Sequence, residues 1–173
     1  NENNNGIAAT SNRAVRMCNG EYVLQLDSDD WLALHAIESL ASVLDNRKDV
    51  GVVFGDCIDV FQDGSTRKHW SPKDFTEEEI GRYGYDASKH ALWERGMRVT
   101  HQRMFRREAF YKTEGFDETL ENAVDYDMFM KLSEVTSLLH IQKPLYFYRV
   151  NHGLNTSDRR QEKQKRNAMV VQE

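Results

Sequence analysis

The chain has 173 residues, of which 39% are hydrophobic and 29% charged, with a formal net charge of −5. That length supports one packed core without asking for a second, and the acidic balance argues against a phosphate-backbone binder, so no nucleic-acid partner is expected. No apolar run approaches the about 18 residues that span a bilayer, and nothing reads as a secretory signal, so a soluble cytoplasmic chain is expected.

Two cysteines, Cys18 and Cys57, have neither metal-ligand spacing nor disulfide density and read as ordinary thiols. Asn1 to Gly6 lead straight into a helical pattern with no strand before it, so the chain reads as cut from something longer. From Ile7, the residues Ala8, Ser11, Ala14, Val15 and Cys18 recur at helical spacing, and Asn19-Gly20 supplies a left-handed stop. Tyr22 to Leu26 is a short run of strand formers ended by acids, which reads as a buried parallel strand. Leu34, Ile37, Leu40, Ala41 and Leu44 mark one face of a second helix, and Val50 to Phe54 is a second buried strand. Alternation of helix and strand predicts an α/β fold with a mainly parallel sheet flanked by helices. Ile58 to Phe61, the Asp63-Gly64 turn and Thr66 to Trp70 add a hairpin.

The stretch from Ser71 to Thr100 carries apolar anchors at Tyr83, Tyr85, Leu92 and Trp93 but no clear period. Met104 to Tyr111 reads as a strand running into a short helix stopped at Gly115, and Val124, Met128, Leu132 and Val135 line a third helix. Leu138 to Val150 gives one or two strands around Pro144. Residues 1–157 form one domain in this reading, and 158–173 a basic terminal helix or tail.

Asp27, Ser28, Asp29 and Asp30 follow the first strand, where ligands bind in open α/β sheets. A hard divalent cation such as Mg2+ or Mn2+ takes oxygen ligands and keeps waters and phosphates in its shell, so one or two carboxylates on a rigid turn suffice. The competing reading is that Asp29 or Asp30 caps the following helix. A second acidic group, Glu121 to Asp127, opens the third helix. Asp125 and Asp127 there could accept a proton from an incoming hydroxyl, or Asn122 could cap the helix with Asp125 completing the arrangement. His152, in the turn-like run to Ser157, is either a solvated loop histidine or a metal ligand.

With these residues in view, the chain resembles the inverting family 2 glycosyltransferases of the GT-A fold. The resemblance rests on Asn5-Gly6-Ile7-Ala8-Ala9 to Asn12 and on Gly20-Glu21-Tyr22 into Leu26-Asp27-Ser28-Asp29-Asp30. Glu121 to Asp127, Lys131 to Val135, and His152-Gly153 with Asn155-Thr156-Ser157 are similar, within that family, to the N-acetylgalactosamine-transferring domain of bacterial chondroitin polymerases. The resemblance implies a partial GT-A domain lacking the first nucleotide-binding strands, and hence an exposed sheet edge that favours self-association and weak nucleotide binding by the piece alone. It implies a UDP-sugar donor, a glycan acceptor, Mn2+ or Mg2+ at Asp29 with His152, Asp27 near the ribose or metal shell, and Asp125 or Asp127 as base. The place of action would be the cytoplasm, at the inner face of a bacterial membrane. Two other classes compete: a sugar nucleotidyltransferase, and a non-catalytic carbohydrate-binding module using Trp70, Tyr83, Tyr85 and Trp93 as stacking surfaces.

Overall fold

The computed structural model describes residues 5–68, 92–93, 99 and 101–150. In chain order these give α1 (Gly6–Met17), β1 (Tyr22–Leu24), β2 (Trp31–Leu32), α2 (Ala36–Asn46), β3 (Val50–Val60) and β4 (Thr66–Lys68). They continue with β5 (Arg103–Arg106), α3 (Arg107–Phe110), α4 (Val124–Val135) and β6 (Ser137–Arg149). The sheet order is β1-β5-β3-β6-β2, with β4 paired to β3.

The apolar run of β3 is buried on both faces, as its sequence requires, and its neighbouring residues divide between two cores. Val52 and Phe54 pack with Phe105, Leu138, α1 and α4 on one face. Val53 packs with Met104, Leu139 and the Leu40 and Leu44 stripe of α2 on the other. This alternation between adjacent residues follows from the pleat. Each fully buried Leu or Phe contributes about 1.5–3 kcal/mol relative to an exposed one, so the two helical layers hold the sheet by area rather than by any single bond.

Helices flanking a sheet, the Asp63-Gly64 hairpin and the strand-to-helix passage at Arg106 all agree with the sequence reading. The mainly parallel sheet is corrected to a mixed one: β3 and β6 pair in parallel, whereas β1 with β5, β3 with β5, β3 with β4 and β2 with β6 are antiparallel. The strands read as parallel, β1 and β3, do run the same way, but β5 lies between them. The second helix is also corrected. It starts at Ala36, so Leu34 precedes it, and the buried stripe is Ala36, Leu40 and Leu44, leaving Leu34 93% and Ile37 59% exposed. Trp31–Leu32, given no element in the sequence reading, forms β2 on β6 through Trp31 opposite Phe147, their rings stacked 5.6 Å apart.

Two buried polar side chains lock distant segments together. Asn12 of α1 donates to the Phe116 carbonyl at 2.9 Å and accepts from its N–H at 2.9 Å. Arg106, at the end of β5, donates to the carbonyls of Leu44 and Val50 and meets Glu21 at 3.2 Å. Both cysteines are free, and burial pushes the Cys57 thiol up to about 12, which makes it inert.

Gly115 ends the turn after α3 with φ +78, and a Cβ there would lie 2.8 Å from Asn12 Oδ1. Gly115→Ala is expected to cost about 1–3 kcal/mol, from left-handed strain plus displacement of the Asn12 bridge, read as a lower midpoint in urea.

Candidate active site

Topology gathers the site at one end of the sheet. β1 and β3 run in one direction with β5 antiparallel between them, so the end of β1 lies beside the start of β5. β6 begins opposite Val50, at the start of β3, and α4 immediately precedes it. α4 packs on the sheet, so its N-terminus lies at the opposite end, next to the end of β1. Asp27 after β1, His101 and Arg103 at the start of β5, and Asp125 in the first turn of α4 are thereby brought together.

The Asp27 to Asp30 turn is tied to β6. The Asp27 N–H donates to the Tyr146 hydroxyl oxygen at 3.3 Å, and that hydroxyl donates to Asp30 Oδ2 at 2.7 Å. Asp30 Oδ1 accepts the Arg149 N–H at 2.8 Å, and the Asp29 carbonyl accepts from Arg149 Nε at 2.8 Å. Both Asp30 oxygens therefore serve the turn itself. Ser28 and Asp29 are exposed, and the Asp29 carboxylate makes no hydrogen bond or ion pair with the described residues. Asp27 is half-buried, with its Oδ2 3.5 Å from His101 Nε2. Burial raises the affinity of Asp27 for its proton; Arg103 opposes this, and the carboxylates of Asp30, Asp29 and Asp125 add to it. Burial likewise raises Asp30.

The sequence reading left two arrangements open at the second acidic group. The helix is entered through Ala123 in the left-handed region, φ 59, with no side-chain cap, so Asn122 is not an N-cap. Asp125 Oδ2 accepts from Arg103 Nη2 at 3.0 Å and Oδ1 from the Tyr126 N–H at 2.9 Å. Arg103 is buried, donates from Nε to the Val99 carbonyl at 3.2 Å, and lies 5.1 Å over the Phe129 ring. Burial alone would raise Asp125, but Arg103 and His101 outweigh it and hold the carboxyl below the usual range. Asp127 is differently placed: Lys131 grips it at 2.7 Å while also donating to the Gly115 carbonyl at 3.1 Å. Its side chain is 12% exposed against 37% for Asp125.

The two acidic groups are thus electrostatically linked, with Arg103 and His101 acting on both Asp27 and Asp125. His101, Arg103 and Tyr146 went unnoticed in the sequence reading. Their only trace is a His-x-Arg pair just ahead of the expected strand and an aromatic run at Tyr146 to Tyr148. His152, Trp70, Tyr83, Tyr85, the run to Ser157 and the tail from 158 lie outside the described residues.

Among the described residues, no group of three or more His, Cys, Asp and Glu side chains could by itself hold a metal ion. A Mg2+- or Mn2+-type cation bound through one or two carboxylates, waters and substrate phosphates needs no such cage, and the exposed Asp29 carboxylate fits that open mode. Among the described residues, no helix is long and apolar enough to cross a membrane.

Asp27 and Asp125 should affect stability with opposite signs. Folding disfavours the charge on Asp27, whose proton affinity is raised, so that contribution is favourable at low pH and is lost as pH rises through the folded value. Folding favours the charge on Asp125, a contribution present above the ordinary carboxylate range and lost as pH falls through the depressed value. At pH 7, urea unfolding should show Asp27→Asn more stable than wild type. Asp125→Asn should be less stable by about 1–3 kcal/mol because Arg103 loses its partner. The gap between the variants should narrow on acidification through the ordinary carboxylate range and close only below the depressed folded value of Asp125.

Comparison with known proteins gives these residues a family. The profile described as Glycosyl transferase family 2 matches residues 1–113. Chondroitin synthase of Pasteurella multocida (strain Pm70) is 39% identical over 169 residues, 97% of this chain and 16% of that protein. Hyaluronan synthase of Pasteurella multocida is likewise 39% identical over 169 residues, with the same 97% and 16% coverage. The chain thus spans about a sixth of the length of these relatives. Among solved structures, S. aureus TarS (residues 1-349) superposes with a TM-score of 0.64 at 19% identity, covering 98% of this chain and 45% of that one. The mannosyltransferase PcManGT from Pyrobaculum calidifontis, solved with GDP-Man and Mn2+, superposes with a TM-score of 0.59 at 17% identity, covering 96% and 42%. These likenesses agree with a GT-A-type fold, and the profile match over more than half the chain places it in glycosyl transferase family 2.

Proposed function

We propose that the protein transfers a sugar from a UDP-sugar to a glycan acceptor with inversion, as part of polysaccharide or glycoconjugate synthesis. The observation that carries this is the meeting of the Asp27–Asp30 turn and Asp125 at one end of the sheet, with Arg103 between them. The names of the relatives, a chondroitin synthase and a hyaluronan synthase, favour a polymer acceptor.

Asp125 is the base in this reading. Its depressed proton affinity keeps it ionised at neutral pH, Arg103 fixes its direction, and its partial exposure leaves it open to an acceptor hydroxyl. Asp127 is held by Lys131 and serves the helix. The acceptor oxygen bonds to the anomeric carbon as the bond from that carbon to the diphosphate oxygen breaks. The hydroxyl proton passes to Asp125, and the nucleoside diphosphate departs from the opposite face. Asp29, with His152, would hold Mn2+ or Mg2+, which supplies positive charge for the departing diphosphate. The Mn2+ in the mannosyltransferase complex favours a divalent cation in this reading. Asp27 and Ser28 would line the donor side, with Asp30 bracing the turn. Action at the cytoplasmic face of a bacterial membrane, and self-association through the edge strand β1, belong to the same reading.

The test is a donor panel on the full-length protein, with Mn2+ and with chelator, following released nucleoside diphosphate. Asp29→Ala and Asp125→Asn should each lower turnover by about 100-fold or more, and Asp127→Asn by less than about tenfold, with unfolding still cooperative. Turnover retained by both Asp29→Ala and Asp125→Asn would count against the transfer reading. Release of pyrophosphate instead would favour a nucleotidyltransferase.

A further inference from the structure

The mechanism above leaves one titratable group at the site without a task. We propose that His101 is a positioning residue of this transferase, holding the Asp27 carboxylate in the direction in which the donor nucleotide meets it; the inference rests on the transferase reading.

Asp27 sits among like charges. Asp29 and Asp30 follow it on the same turn, and Asp125 approaches from α4, so its carboxylate is pushed from three sides. His101 Nε2 lies 3.5 Å from Asp27 Oδ2, a long contact from a ring nitrogen to the carboxylate that is an ion pair when the imidazole is protonated. The imidazole is not a free rotor, because its ring packs 5.7 Å from the Tyr146 ring and 5.2 Å from the Tyr148 ring. Tyr146 also accepts the Asp27 N–H and donates to Asp30, so one tyrosine of β6 supports the turn, its last acid and the histidine facing its first.

The backbone beside His101 is costly to build. Gln102 adopts φ 69, a left-handed conformation uncommon for a residue with a side chain, and its buried side-chain amide has no hydrogen-bond partner among the described residues. That strained residue separates His101, which meets Asp27, from Arg103, which meets Asp125. Strain kept at such a junction is the pattern of a site that sets geometry at the expense of stability.

The test is calorimetric binding of UDP in the presence of Mn2+ to the full-length wild type and to His101→Phe and His101→Gln, with thermal unfolding of each. Phenylalanine keeps the packing on the two tyrosines and removes the contact with Asp27, whereas glutamine keeps a donor for Asp27. His101→Phe should bind UDP about fivefold more weakly or worse, the size of a half-exposed polar contact to a carboxylate, and His101→Gln within about twofold of wild type. All three should unfold within about two degrees of one another. Equal binding by wild type and His101→Phe overturns this role alone, as does His101→Gln binding as weakly as His101→Phe. Loss of both binding and unfolding temperature in His101→Phe overturns it by making the ring a core residue. A wild type that does not bind UDP overturns the transferase reading, and this inference with it.

Discussion

The site depends on the antiparallel insertion of β5 between β1 and β3. Without it, the end of β1 would have no partner segment carrying positive charge. With it, Leu24, Met104 and Val53 form one row across the sheet, and the start of β5 emerges beside the acidic turn. The two ends of β5 carry buried arginines with different tasks. Arg106 closes the carbonyls at the end of α2 and the start of β3, and Arg103 reaches from the other end to Asp125. A four-residue strand thus anchors the fold at one end and equips the site at the other.

Charge distribution then separates the tasks of the acids. Three carboxylates, Asp29, Asp30 and Asp125, act on Asp27, and a cluster of that kind is unfavourable unless cations or bonds compensate. Asp30 is compensated by Tyr146 and the backbone of Arg149, Asp125 by Arg103, and Asp127 by Lys131. Asp29 remains exposed and Asp27 keeps a raised proton affinity. Incomplete compensation at the first turn is what an anionic substrate carried with a divalent cation would complete, while full compensation at Asp125 keeps that residue charged and aimed.

The sequence made the local features legible and left the long-range ones out of reach. α4 is readable because Val124, Met128 and Leu132 fall on helical spacing, and β3 because Val50 to Phe54 is apolar and bounded. The acidic turn is readable because its four residues are contiguous. The direction of β5 is set by pairing between residues far apart in the chain, such as Tyr22 with Arg106, which no local period reports. His101 and Arg103 were missed for the same reason, since their importance comes only from what they face. The face of α2 was misread because periodicity does not fix a start: Leu34 fits the spacing but lies before the helix.

The most direct measurement is a crystal structure of the full-length protein with UDP and Mn2+, with the metal located by its anomalous signal. The account predicts Mn2+ at Asp29, the diphosphate beside the Asp27–Asp30 turn, and Asp125 facing the same space from α4. Nucleotide or metal bound elsewhere on the molecule, with Asp125 turned away from it, would contradict it.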